Sequence, residues 1–296
     1  MQTTSTIGNG NYIIQIQGDG ISVVTGLPHL ELTRRRGLAS YIGTDPGTGK
    51  PCEIDVIRPL TRSIDMVGRE AELADLRAWL YLEKPISVRV ITGGAGYGKT
   101  RLALELIEEM VPQGWRAGFL TRAEMKRFRE QRDLRGWGWN APILAVVDYA
   151  SASTRELHAW LKELEDNSVW DGAEASNGFP LRLLLLDRQA EPGGGWWAEV
   201  FGIGDDAAVF ERLVVPSEPV AMRSLDNANQ RRAILTKTLE RLGSTVMLPA
   251  PGDDSDFDRR LAELTWAGVP LLLMLAAATA AREGFGQVLA MCRWGS

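Results

Sequence analysis

The chain has 296 residues, 45% of them hydrophobic and 24% charged, as expected of an ordinary globular protein of one large or two modest domains. A formal net charge of −5 and a pI near 5.3 argue against a dedicated nucleic-acid or membrane-surface binder, so no direct nucleic-acid partner is expected. Two cysteines, Cys52 and Cys292, and two histidines, His29 and His158, give neither a disulfide framework nor a histidine metal site. The opening MQTTSTIGNG lacks the basic and apolar regions of a leader, and no run reaches the roughly 18 uncharged apolar residues of a membrane span. The expected compartment is therefore a reducing cytoplasm.

Residues 1–60 read as a small β-rich extension. NYIIQIQ and ISVVTG alternate apolar and polar residues around Asp19-Gly20, a hairpin signal, and EIDVIRPL reads as a last extended run. Between them, GTDPGTGKP reads as a turn. It ends in Gly49-Lys50 but has Thr44 where a phosphate loop needs its first glycine, and Pro51 where it needs a hydroxyl.

From about Met66, strands and helices alternate. VGREAELADLRAWL places Leu73, Leu76 and Leu80 on one helical face. SVRVIT is a β-branched strand, followed by a glycine-rich loop and the helix RLALELIEEM. WRAGFLT, ILAVVD and LRLLLLD are further strands, with RLVV as a candidate fifth. SASTRELHAWLKELED is a helix with Leu157, Leu161 and Leu164 on its apolar side. Such alternation predicts a three-layer α/β/α sandwich around a parallel sheet, spanning residues 61–218. Residues 219–296 read as a helical lid, with helices over 227–242, 255–266 and 270–282. The Ala-rich stretch from Ala267 to Ala281 reads as a buried helix.

The run Gly93-Gly94-Ala95-Gly96-Tyr97-Gly98-Lys99-Thr100 fits G-x-x-x-x-G-K-[ST], with a strand before it and a helix after it. Glycines let backbone N–H groups turn inward as an anion nest, and the helix beginning near Lys99 adds the positive end of its dipole. Lys99 is placed to reach the β and γ phosphates of ATP or GTP, Thr100 to ligate Mg2+, and Arg101 follows on the same turn. Asp148, at the tip of an apolar strand, is placed to hold Mg2+ through a water. The residue after it is Tyr149, where many ATPases carry a second acid that orients the attacking water, so hydrolysis is expected to be slow. Arg188, at the end of LRLLLLDR, either senses the γ-phosphate or neutralises Asp187.

Taken in order, these pieces resemble the STAND class of signal-transduction ATPases, relatives of AAA+ and NACHT-type switch proteins. Met66-Val67-Gly68-Arg69-Glu70 is similar to the hhGRE motif that lies against the nucleotide's base. Gly268-Val269-Pro270 is similar to the GxP motif, whose proline packs near the base from the lid side, although a plain helix start gives the same residues. The match runs from about Ile64 to Ala280. The resemblance implies a nucleotide switch binding ATP or ADP with Mg2+, acting in bacterial defence or transcription control. It also implies a protein partner or a sensor and effector region supplied elsewhere, and a nucleotide-dependent oligomer, with no membrane. The rival readings are a catalytic kinase or motor ATPase and a non-hydrolysing nucleotide-binding scaffold.

Overall fold

The computed structural model describes residues 30–33, 41–130, 139–166, 178–202, 207, 210, 212–250 and 255–290. The expected hairpin around Asp19-Gly20 lies outside these residues.

Five parallel strands form one sheet: β1 (Ile86–Thr92), β2 (Arg116–Phe119), β3 (Ile143–Asp148), β4 (Leu181–Leu186) and β5 (Val220–Ala221), in the order β2-β3-β4-β1-β5. The central strands are apolar nearly throughout because both faces are covered. One face, with Val88, Val90, Ala145, Val147, Leu183 and Leu185, packs against α4 (Arg122–Arg129), α5 (Thr154–Asp166) and α6 (Gly195–Phe201). The other, with Ile91, Leu144, Val146, Leu184 and Leu186, packs against α2 (Glu70–Leu80) and α3 (Lys99–Met110). This is the three-layer fold of a P-loop NTPase.

The helices of the last third have their own core. Ile234, Leu235 and Leu239 of α7 (Ala228–Arg241) meet Phe257 and Leu261 of α8 (Ser255–Glu263) and Leu273, Ala277 and Ala280 of α9 (Pro270–Glu283). A short α10 (Phe285–Ala290) follows. Helix α9 is only partly covered, since Leu272 and Leu275 are exposed. Among the described residues no helix is long and apolar enough to cross a membrane.

Two sequence expectations are corrected. EIDVIRPL is not extended: Glu53–Ile57 form the helix α1, Val56 is buried against Leu242 and Ala278, and Ile54 is left exposed. Alternation of Ile54 and Val56 mimics a strand, but the lid surface takes only one of them. RLVV makes a single bridge, Val88 to Val214, and the fifth strand lies further on at Val220–Ala221. Pro216, which lacks an N–H, closes the RLVV run. Residues 44–51 form the expected turn, closed by a bridge between Thr44 and Pro51 and by the Asp45 carboxylate, which accepts from the N–H groups of Gly47 and Thr48.

The sheet's β2 edge is covered by the N-terminal segment. Thr33 and Phe119 exchange backbone hydrogen bonds of 2.8 and 2.7 Å, and Gly118 leaves room for Leu32, which a Cβ would approach to 3.0 Å. Arg182, the second residue of β4, is fully buried, and its guanidinium donates to the carbonyls of Trp79, Leu80, Leu82 and Lys84. These carbonyls end α2 and begin its exit turn, where a helix has no acceptor partners of its own. Burial pushes the guanidinium down to about 10, so it stays charged at neutral pH.

Candidate nucleotide site

Strand order gathers the site. Because β4 lies between β1 and β3, Ile91, Leu186 and Asp148 share one row at the carboxyl edge of the sheet. The loop after β1, Asp148 at the tip of β3 and Asp187 just beyond β4 therefore open on the same side, where parallel α/β sheets build their ligand crevices.

Gly96 and Gly98 have positive φ of 80° and 95°, and α3 begins at Lys99. Tyr97 folds back on the loop, where a Cβ on Gly94 would come within 3.1 Å of its ring. The Lys99 ammonium donates to the carbonyls of Gly93 and Gly94 at 2.6 and 3.1 Å. Burial lowers its pKa, opposed by the charges of Asp148 and Asp187 and reinforced by Arg188. Thr100 donates its hydroxyl to Asp148 at 3.0 Å, so the two expected metal residues meet.

Asp187 is buried. It accepts from the N–H of Ser151 and from the backbone N–H of Arg188, both at 2.7 Å, and makes no ion pair with the Arg188 guanidinium. Arg188 is exposed and lines the cavity.

The cavity has a volume of about 340 Å3. Ala95, Lys99, Thr100, Asp148, Asp187 and Arg188 line its sheet side. Ile57, Pro59, Met66 and Val67 line it from the segment before α2, and Ile234, Pro270, Leu271 and Met274 from the lid. The sheet side thus carries charge, the lid contributes apolar side chains, and the segment before α2 contributes both, with Arg58 and Asp65 beside Ile57, Pro59, Met66 and Val67.

The remaining candidate residues hold the walls together. Arg69 is buried, and its guanidinium donates to Tyr97 O at 3.3 Å and Arg223 O at 2.8 Å and pairs with Glu72, tying the loop to the lid's first segment. Gly68, at φ 69°, lies where a Cβ would come within 2.6 Å of the Gln230 side chain on α7. Gly268 is equally crowded: an added Cβ would lie 2.6 Å from the Ser224 Cβ. The Leu271 N–H points at Gly96 O, 3.3 Å away, and a Cβ on Gly96 would lie 2.9 Å from the Leu271 Cβ. Arg101 turns to Ile64 O, at 2.9 Å, and to Glu105. Ile57, Pro59 and Ile64 were not singled out from the sequence as cavity residues; the first two sit in EIDVIRPL, whose alternation reads as a strand.

Fold, loop and converging residues define the class, a P-loop NTPase fold with its candidate site at the carboxyl edge of the sheet. No family model and no curated protein matches the sequence. Among solved structures the chain is similar to a replication initiator DnaA bound to AMPPCP and single-stranded DNA, at 13% identity, TM-score 0.48, covering 79% of this chain and 67% of that one. It is also similar to the ORC2 protein of Aeropyrum pernix in ADPNP and ADP complexes, at 14% identity, TM-score 0.49, covering 77% and 68%. A third is the ORC1 protein of the same organism in complex with DNA, at 16% identity, TM-score 0.42, covering 80% and 62%. The chain thus spans about two thirds of the length of these proteins.

The expectation of no direct nucleic-acid contact is withdrawn, because two of these similar structures contain DNA. A negative total reports the whole surface, whereas phosphate contact depends on where a few cations lie.

Proposed function

We propose that the chain is an ATP-binding regulatory switch of the STAND type within the AAA+ group, with slow Mg2+-dependent hydrolysis. The observation that carries this reading is the meeting of loop and lid, with the start of α9 resting on Gly96 beside the cavity. The nucleotide-binding domain takes residues 61–218 together with β5, which pairs with β1, and the helices that follow form the lid.

Lys99 and the inward N–H groups of the loop bind the β and γ phosphates. Thr100 and Asp148 fit Mg2+, since a hydroxyl and a carboxylate already converge at 3.0 Å. Mg2+ held there would complete its shell with phosphate and water oxygens and would neutralise charge on the phosphates. Arg188 faces the γ-phosphate. Val67 and Pro270 flank the base, and Arg69 fixes the phosphate loop through Tyr97 O. Tyr149 stands where a second acid after Asp148 would orient the attacking water, and the Asp187 carboxylate on the same edge is taken up by the N–H groups of Ser151 and Arg188, which favours slow turnover.

A lid that touches the phosphate loop makes different contacts with a triphosphate and a diphosphate, the condition for a ligand to shift a two-state equilibrium. Hydrogen exchange in residues 227–281 is expected to differ between the ATP and ADP complexes. Identical exchange in both would remove the switch and leave a plain nucleotide-binding domain.

A further inference from the structure

Strand β3 sends its side chains to the two faces of the sheet in turn. Ile143, Ala145 and Val147 enter the core beneath α4, α5 and α6, while Leu144 and Val146 enter the core beneath α2 and α3. Asp148 continues the second set and meets Thr100 of α3. The next residue, continued as a strand, belongs to the first set and should be buried. Tyr149 is not buried. Ala150 enters that core instead, and Tyr149 is 59% exposed in the wall of the cavity.

The chain makes this exchange by turning at Tyr149. Its φ of 58° and ψ of 59° are left-handed, although the residue that opens a helical turn is ordinarily extended. A 3-10 turn, Ala150–Ser153, follows at once, and the Ala152 N–H returns to the Tyr149 carbonyl at 2.9 Å. The Asp187 carboxylate, just beyond β4, fixes the turn by accepting from the Ser151 N–H at 2.7 Å. An aromatic side chain is thus left at the carboxyl edge of the sheet, outside the core that its burial would stabilise. Its phenol hydroxyl has no hydrogen-bond partner among the described residues.

The neighbours of Tyr149 indicate which part of a ligand it reaches. Asp148 precedes it, and Lys99 lies in the field of Asp148, Asp187 and Arg188 on the same edge. A nucleotide with its base between Val67 and Pro270 and its phosphates on Lys99 ends here. A carboxylate in this position can only accept hydrogen bonds, so it meets a phosphate through water. A phenol carries a proton and can donate to a phosphate oxygen directly. We propose that Tyr149 is a specificity-determining residue whose hydroxyl donates to the terminal phosphate of a nucleoside triphosphate, so that the site prefers ATP to ADP. The inference rests on the nucleotide reading of the cavity and adds to it a neutral donor that tells the two nucleotides apart.

The test is calorimetric titration, with Mg2+ present, of ADP and of a non-hydrolysable ATP analogue into the full chain and into its Tyr149→Phe and Tyr149→Gly variants. Phenylalanine keeps the ring and removes the hydroxyl. Glycine suits the left-handed backbone, so it preserves the turn while removing the whole side chain. Both variants are expected to bind the triphosphate analogue about tenfold more weakly, and ADP within about twofold of the wild type. Equal weakening of both nucleotides in Tyr149→Gly, with neither changed in Tyr149→Phe, would make the ring a plain wall of the cavity and overturn the proposal. Unchanged affinities in both variants would reduce Tyr149 to a turn residue and overturn it too. A wild-type chain that binds neither nucleotide would instead overturn the reading beneath it.

Discussion

At the residue scale, the site depends on a few side chains whose partners are on the page. Thr100 and Asp148 touch each other at 3.0 Å. If they hold Mg2+, Asp148→Asn should weaken Mg2+-dependent ATP binding about tenfold or more and leave Mg2+-free ADP binding nearly unchanged. Calorimetry with and without the metal checks this, and equal losses in both conditions would remove the metal role. Arg182 makes a different prediction. Its substitution by leucine strands the carbonyls at the end of α2, so urea unfolding should report a loss of about 2–4 kcal/mol. A loss under about 0.5 kcal/mol would mean those carbonyls find other donors. The two residues also differ in how visible they are in the sequence. Lys99 and Thr100 are legible because phosphate chemistry fixes their spacing. Arg182 is invisible, a charge inside LRLLLL whose partners are backbone carbonyls about 100 residues earlier in the chain.

At the element scale, the order of strands and helices was readable and the crossings between elements were not. The runs VRVIT, ILAVVD and LRLLLL have the apolar character that a doubly covered strand requires, and they form β1, β3 and β4. Helix α1 was misread, because a five-residue apolar-polar alternation fits either structure until the surface that covers it is known. The glycines of the loop show the same divide. Gly98 is required by its backbone alone, since nothing lies within 4 Å of an added Cβ, whereas Gly96 is required by its backbone and by Leu271 and Val269 of the lid. Both alanine variants therefore carry a backbone cost of about 1 kcal/mol, but only Gly96→Ala should push α9 away. Faster hydrogen exchange across Pro270–Glu283 in Gly96→Ala than in Gly98→Ala is the expected result. Equal exchange would mean the lid's contact with the loop holds nothing.

At the scale of the whole molecule, a sheet that gathers charge at one edge faces a helical lid with its own core. Ties between them among the described residues include Arg69 between Tyr97 and Arg223, the start of α9 on Gly96, and the segment carrying Val56 and Asp65. The cavity lies among these ties, so its occupant is expected to set their geometry. The central proposal is an occupant that is a nucleotide held by its phosphates at Lys99. Calorimetric titration of Mg-ATP into the wild-type chain and into Lys99→Ala tests that most directly. Folded in both cases by circular dichroism, the wild type should bind ATP and the variant should bind it at least about tenfold more weakly, the loss of a charge-assisted contact to the β and γ phosphates. Equal affinity in the two proteins would contradict the account.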